Sequence, residues 1–397
     1  MKYIADLHIH SKYSGGTSKS ISILNIARSC EIKGINIVGA GDCLCGSWLE
    51  NLKTQLQEEC DGIYIYPKLP SVKFILQTEV ELIWKVNKLI KRAHFIVLFP
   101  CFTALKEILE KLSKFVNLRT EGRLKIYSSA ENFILDLKKI DSRIEIIPAH
   151  IFTPYFGILG SECSFKSLKE ALGSGFEYIH ALESGLSADP SLIKALSELN
   201  GFSIISNSDA HSTGVHRIGR EATVLKLKKL NYSNIIDSIR KNKILKTYEF
   251  RPSAGKYYYD GHRIERHSNQ KIQKEYYCSP KRGIVNCPYC EKKLTKGVLS
   301  RVYDLMDQDI KSQTNCQYIV PLYSLISTVR GKVNLNNENL SLYLKLIEAN
   351  QCEYNIWEGS SIFEGIEQKI INAINKVRNG EFYFFPGYDG IYGKLNI

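Results

Sequence analysis

Two histidines one residue apart, His8 and His10, close an apolar run near the N-terminus, KYIADLHIH (2–10). In an extended strand residues i and i+2 project to the same side, so the two imidazoles stand together. Asp209 and His211 repeat the spacing at the end of FSIISNSDAH (202–211), with a carboxylate in place of one ring. Histidine nitrogen is the commonest metal ligand, and a mixed histidine–carboxylate set suits zinc, manganese or iron better than magnesium alone. Asp42, Glu79, His150 and Glu183 lie at or near the ends of further apolar runs. Together these groups predict a site of two or three divalent cations (zinc, manganese, magnesium or iron). Glu79 or Asp209 would bridge two of them about 3.5–4 Å apart. Cations so placed neutralise a phosphodiester, activate a water and stabilise the leaving oxygen.

The elements that must position these groups are strand-like runs alternating with helix-period stretches. INIVGAGD (35–42), KFILQTEVEL (73–82), HFIVLFP (94–100), EIIPAH (145–150) and YIHALES (178–184) join the two runs above. Most are continuously apolar rather than alternating, which suits buried parallel strands. ISILNIARSCEIKG (21–34), SFKSLKEALGSG (164–175) and SLIKALSELNG (191–201) have apolar residues at helical spacing. The alternation predicts an α/β fold with a parallel sheet, doubly wound or closed into a barrel. Six of the seven runs finish in ionisable side chains. An open sheet would spread them along about 25–30 Å of edge, whereas a barrel gathers all C-terminal strand ends on one face. The barrel is therefore expected. The fourth run is the exception, because His94 precedes its apolar stretch. Residues 212–255 read as a last helix and strand.

The tract 255–283 is polar, aromatic and basic, a boundary by composition. Cys287-Pro-Tyr-Cys290 then forms a knuckle in which two thiolates wrap one ion, giving one structural zinc. Cys278 is the expected third ligand. His262 and His267 compete for the fourth place, with His262 favoured. Tyr257, Tyr258, Tyr259, Arg263 and Arg266 either stack on bases and grip phosphates or pack the small module's core. Residues 317–397 carry helical stretches and close on a hairpin, FYFFPGYDGIYGKLNI, turned by Tyr-Asp-Gly. The expected organisation is thus 1–254, 255–300 and 301–397.

Composition bounds the function. The 397 residues imply two to three domains, and 53 basic against 41 acidic residues leave a net charge of +12. That surplus favours a polyanionic partner, nucleic acid before membrane. A hydrophobic content of 44% excludes wholesale disorder. No run is long enough to span a membrane, and MKYIADLHIH turns polar too soon for a signal peptide, so a cytoplasmic protein is expected. The eleven cysteines are an odd number and mostly scattered, as in a reducing compartment.

DLHIHS, Asp42, Glu79, His150 and SDAH (208–211) resemble the polymerase-and-histidinol-phosphatase (PHP) superfamily. The resemblance implies a distorted seven-stranded (β/α) barrel of PHP type, followed here by the small zinc-binding module and a mainly helical C-terminal domain. Longer strings resemble one family within it, endonuclease Q. They are TSK (17–19), PAHIFTPYFGILGS (148–161), ALESGLSADP (181–190), SNSDAHS (206–212), GREATV (219–224), GKYYYDGHR (255–263), CPYC (287–290) with GVLSRV (297–302), and PGYDGIYG (386–393). This resemblance implies a metal-dependent DNA repair endonuclease. It would cut 5′ to deaminated bases (uracil, hypoxanthine, xanthine) and at abasic sites, acting as a monomer.

Carried over position by position, His8, His10, Asp42, Glu79, His150, Asp209 and His211 match the metal-binding motifs, with Glu79, His150 and Asp209 as the catalytic set. His94 matches a family histidine, as ligand or support. Glu183 is a ligand or a substrate contact. The chain departs from the family's G-T-G-D-F-T-H-P at Gly39–Gly46, where the expected histidine is Cys45. A thiolate there would still hold zinc, or one metal is lost. Gly122-Arg123-Leu124 stands for glycine-arginine-proline, so Arg123 is a candidate substrate contact. Asn207 or backbone amides would read the edge of an extruded base. Two alternatives follow: a phosphatase acting on a small phosphoester with the same metals, and a catalytically weakened lesion-binding protein.

Overall fold

The structure is a computed structural model that describes residues 1–112, 122–267, 271–331, 335–359 and 361–397. The first apolar run becomes β1 (Lys2–Asp6), and the second, after the helix Ile23–Lys33, becomes β2 (Ile37–Gly39). That helix begins where the Ser22 side chain accepts from the Asn25 N–H. It stops at Gly34, whose φ of 88° lets its N–H turn back onto the Cys30 and Glu31 carbonyls. A short hairpin, β3 (Gln57–Cys60) and β4 (Ile63–Tyr66), leads into β5 (Leu69–Val86), which turns back at once as β6 (Leu89–Phe99). β7 (Leu124–Ile126), β8 (Glu145–Pro148), β9 (Ala181–Glu183), β10 (Ser203–Ile205), β11 (Ala222–Lys226) and β12 (Ile244–Glu249) follow.

The result is a mixed α/β fold around a large central sheet, not a parallel one. β1, β2 and β5 pair in parallel. β5 with β6, β6 with β8, and β1 with β11 are antiparallel. The expectation of parallel strands fails at the β5–β6 hairpin because both strands are buried on two faces and so show no alternation. The same hairpin explains why His94 precedes its apolar run. β6 runs backwards, so its N-terminal end lies at the rim where the other strands end, and His94 is the ladder partner of Glu81. β9 and β10 pair in parallel as a separate ladder. Beside them the Ile151 N–H donates to the Glu183 carbonyl, and Ile9 bridges to Ala210.

Inside the strands, Ala5, Leu7, Ile37, Ile75, Ile96, Ile147 and Ile205 form one buried cluster. Each such branched side chain withdrawn from water stabilises the fold by about 1.5–3 kcal/mol. A second, larger cluster runs from Ile9 to Phe382 and takes in residues of the C-terminal helices Leu322–Val329, Asn337–Asn350 and Gln368–Arg378. Within that region, after the antiparallel pair β13 (Asp260–His262) and β14 (Tyr276–Cys278), β15 (Cys316–Tyr318) adds to the edge of β12. The Lys33 ammonium meets the Glu353 carboxylate at 2.5 Å with both side chains buried. The chain closes on the expected hairpin, β16 (Tyr383–Phe385) with β17 (Lys394–Asn396). Among the described residues, no helix is long and apolar enough to cross a membrane.

Candidate metal centre

Glu79 lies in the middle of β5, fully buried, and the other groups converge on it. One carboxylate oxygen lies 2.8 Å from His94 Nδ1, 3.1 Å from His150 Nε2 and 3.6 Å from His8 Nε2. The other lies 3.4 Å from His10 Nε2 and accepts from Arg123 Nη1 at 2.9 Å. Asp209 Oδ1 stands 3.1 Å from His10 Nε2 and 3.7 Å from His8 Nε2. Two groups of potential ligand atoms result, His8–His10–Asp209 and Glu79–His94–His150. Glu79 touches both.

Outer partners set the ring orientations. His8 Nδ1 pairs with Glu183 at 2.9 Å, which leaves its Nε2, buried and without a hydrogen bond, aimed at Glu79 and Asp209. A buried nitrogen left bare in this way fits a cation. Glu183 also accepts from the His150 backbone N–H and from Asn207 Nδ2, while Asn207 Oδ1 takes the Leu7 N–H. Both ends of the Asn207 amide are thus engaged in tying β10 to β1 and β9. His10 Nδ1 pairs with Asp42, whose other oxygen accepts from the Ser11 N–H, the Ser11 hydroxyl and the Ser14 hydroxyl. Asp42 therefore orients His10 instead of joining either ligand group. His211 stacks beside His10, ring centres 4.5 Å apart, and its Nδ1 approaches Asp209 Oδ1 at 3.6 Å.

Burial works against charge on these rings, and the local carboxylates decide the outcome. His94, stacked flat on Phe156 at 4.4 Å, is pushed by burial down to about 4 and stays a neutral donor of electron pairs. For His10, burial is overcome by the hydrogen bonds to Asp209 and Asp42, which raise it to about 9. Burial opposes ionisation of Glu79, but His94, His8 and His150 hold its carboxyl well below the usual range.

Asp42, His150 and Asp209 all have positive φ, 37°, 30° and 45°, a region side chains other than glycine seldom occupy. Such strain clusters where the surroundings over-determine it. Gly185, φ 70°, lies so close below His150 that an added Cβ would meet its Cβ at 2.4 Å. His94, His150, Asp209 and His211 line an open cavity of about 210 Å³, together with Arg123, Phe156, Glu183, Lys256 and Tyr257.

Cys45 is not among these ligands. It is buried in the apolar core at the start of the helix Gly46–Gln55, and burial raises its thiol, the reverse of what a thiolate ligand needs. Tyr258 and Tyr259 stack on one another against the core, while Tyr257 reaches the cavity.

A third group lies in the 255–300 tract: His262, His267, Cys287 and Cys290. Both histidines take part, and Cys278 does not. Cys278 pairs with Asp260 in the β13–β14 ladder, two positions from His262, and packs with Leu294 instead. His267 Nε2 pairs with the Lys274 carbonyl at 2.8 Å, leaving its Nδ1 buried and bare, and Cys290 Sγ stands 3.6 Å from His262 Nδ1. Two cysteines and two histidines are a donor set that fits a metal ion, of the composition common in structural zinc sites.

Sequence reasoning also missed Ser11 and Ser14, although both stand in the run DLHIHSKYS. It missed a buried carboxyl pair behind the site as well, Glu221 and Glu249, each 2.9 Å from the Ser206 hydroxyl. One hydroxyl proton cannot serve both. Burial, with the two acids facing each other, raises Glu249 well above its ordinary value.

No protein-family model matches the chain. It is 31% identical over 256 residues to an uncharacterized protein of Methanocaldococcus jannaschii, 62% of this chain but 31% of that one. It is 27% identical over 416 residues to the uncharacterized protein YqxK of Bacillus subtilis, covering 99% of each. The chain thus spans about a third of the first relative and nearly all of the second. Among solved structures it is similar to the lesion-specific endonuclease PfuEndoQ of Pyrococcus furiosus, with a TM-score of 0.84 and 29% identity, over 100% of this chain and 96% of that one. It matches endonuclease Q in complex with a 27-mer duplex carrying an abasic lesion at the active site equally well, with a TM-score of 0.85, 29% identity, and 100% and 97% covered. In fold and in sequence, the chain is thus similar to endonuclease Q from end to end.

Proposed function

We propose that this chain is a metal-dependent DNA repair endonuclease. It cuts the phosphodiester 5′ to deaminated bases (uracil, hypoxanthine, xanthine) and at abasic sites, leaving a 3′-hydroxyl and a 5′-phosphate. One observation carries the reading: buried Glu79 gathers His8, His10, His94, His150 and Arg123, and the last three of these line an open cavity. The likeness to an endonuclease Q bound to abasic-lesion DNA supports DNA as the substrate. The succession of neighbours β1–β2–β5–β6–β8–β9–β10, with Ile9 bridged back to Ala210, supports a distorted seven-stranded barrel.

His8, His10, Asp209, Glu79, His94 and His150 would hold the two or three divalent cations, with His211 beside His10. What cations supply at such a site is neutralisation of the scissile phosphate and a lowered water pKa. The protein's own groups do the rest. Glu183 and Asp42 fix the His8 and His10 rings, and neutral His94 keeps a free lone pair. Arg123, 26% exposed and paired with Glu79, is placed to meet a phosphate oxygen entering the cavity. Because six ligand groups remain without Cys45, that departure does not empty the site. A further ion, a structural zinc, would sit on His262, His267, Cys287 and Cys290. The scattered free cysteines support a reducing compartment, the cytoplasm.

The test is cleavage. The protein is incubated with manganese or magnesium and an end-labelled duplex holding one uracil, inosine or abasic site. A product ending just 5′ of the lesion is expected. An uncut lesion strand with every metal tried refutes the proposal.

A further inference from the structure

The β5–β6 hairpin does not stop at the metal centre. Its ladder continues from Glu81–His94 to Val86–Leu89, five positions further, or about 17 Å at about 3.4 Å per residue. β7 flanks β5 only as far as Leu82, so the outer half stands free on that edge. The turn is tight: Asn87 and Lys88 both have positive φ, 48° and 68°, the pattern of a two-residue turn that matches strand twist and keeps the tip stiff. One face of the finger is anchored. Trp84 stacks on Phe165, and Lys91 reaches the Cys163 carbonyl and Ser164 hydroxyl.

The other face follows from the pleat. Glu79, Glu81, Ile83 and Lys85 alternate onto one side, with His94, Arg92 and Ile90 opposite them in register. The surface that begins at the ligands therefore runs outward through Arg92 and Ile83 to Lys85 and Ile90. At the tip, Ile90 on this face and Leu89, paired with Val86 on the other, are 57% and 62% exposed, although large apolar side chains normally avoid water there. Lys85, Lys88 and Arg92 on the same hairpin are exposed too, Arg92 with one Nη on Glu81 at 3.2 Å.

We propose that this finger is a wedge that enters duplex DNA beside the lesion. Leu89 and Ile90 take the place of the extruded nucleotide against the neighbouring bases, and Lys85, Lys88 and Arg92 hold the flanking phosphates. Apolar wedges between base steps, ringed by cations, are how proteins offset the cost of unstacking. The proposal rests on the endonuclease reading and adds how the lesion is brought to the cavity.

The test uses the full chain with L89S/I90S, at exposed positions outside the metal centre. Two substrates carry the same abasic site or uracil, one in a fully paired duplex and one in an unpaired bubble. The variant is expected to cut the paired substrate at least on the order of tenfold more slowly, yet the bubble within about twofold of the parent. A 2-aminopurine beside the lesion gives a second readout, independent of cutting. Its fluorescence should rise when the parent binds and fail to rise with the variant. Equal cutting of the paired substrate by both proteins overturns the wedge while leaving the nuclease intact. Equal loss on both substrates also overturns it, since a damaged fold or site produces that. If the parent cuts nothing, the endonuclease reading fails. The fluorescence rise then decides the wedge alone, and its absence in the parent ends it.

Discussion

Removing the carboxylate of Glu353 should destabilise the whole protein, not the C-terminal region alone. Glu353 pairs with Lys33, on the helix after β1, and both side chains are at most 2% exposed. It also accepts from the Tyr343 hydroxyl at 2.9 Å and the Leu322 N–H at 2.8 Å. E353A leaves an ammonium buried without its partner, a loss of about 3–5 kcal/mol, against a total stability on the order of 5–15 kcal/mol. In a urea titration near pH 7 this appears as a midpoint lower by about 1 M. Burial lowers Lys33 and the Glu353 carboxylate opposes it; without the carboxylate, burial acts alone. The folded variant then holds fewer protons than its unfolded chain up to the ordinary lysine value, so its stability rises with pH and the deficit shrinks by pH 9. K33M/E353M, which removes both charges at similar volume, should recover to within about 1 kcal/mol of the parent. A single variant within about 1 kcal/mol of the parent, or a double variant as unstable as the single one, refutes the reasoning.

H267A should lose the structural zinc while C278S keeps it; metal analysis of the purified proteins reads this directly, and the reverse pattern sinks the two-histidine assignment. E183Q, which weakens the partner of His8 Nδ1, should cost about 10–100-fold in manganese affinity or cleavage with the thermal midpoint little changed. Burial first and Glu221 second raise Glu249 above the ordinary 4.5. The folded acid thus keeps its proton where the unfolded chain has lost it, so stability falls as pH rises from about 4.5 towards the folded pKa. E249Q should flatten that fall and be relatively more stable at pH 8 than at pH 5; equal urea-midpoint shifts in both proteins would rule this out.

The site was legible because its chemistry sits at i and i+2 spacings on strands. His8 with His10 and Asp209 with His211 announce themselves locally, and the structure brings the first pair to Glu79 and the second beside His10. Strand direction was not legible. Continuous apolar runs read alike in either sense, so β6 passed for a parallel strand and His94 for an anomaly. Nor could sequence separate ligands from supports. Asp42 has a ligand's residue type, yet the serine hydroxyls and N–H that claim its oxygens come from loop positions with no periodicity. Spacing suggested Cys278 over His267, but pairing register in β13–β14 moved Cys278 two positions along the ladder from His262. The contact of Lys33 with Glu353 spans 320 residues, beyond any local pattern.

The left-handed backbone at Asp42, His150 and Asp209 restricts which replacements keep the rim in shape. Asparagine tolerates that conformation and matches aspartate in outline, whereas branched or longer side chains strain it further. Asp209→Asn is therefore the substitution expected to remove a candidate metal ligand while sparing the architecture. On the endonuclease reading proposed above, a protein altered only there is expected to park on damaged DNA without nicking it, a ready-made decoy for marking where such damage accumulates.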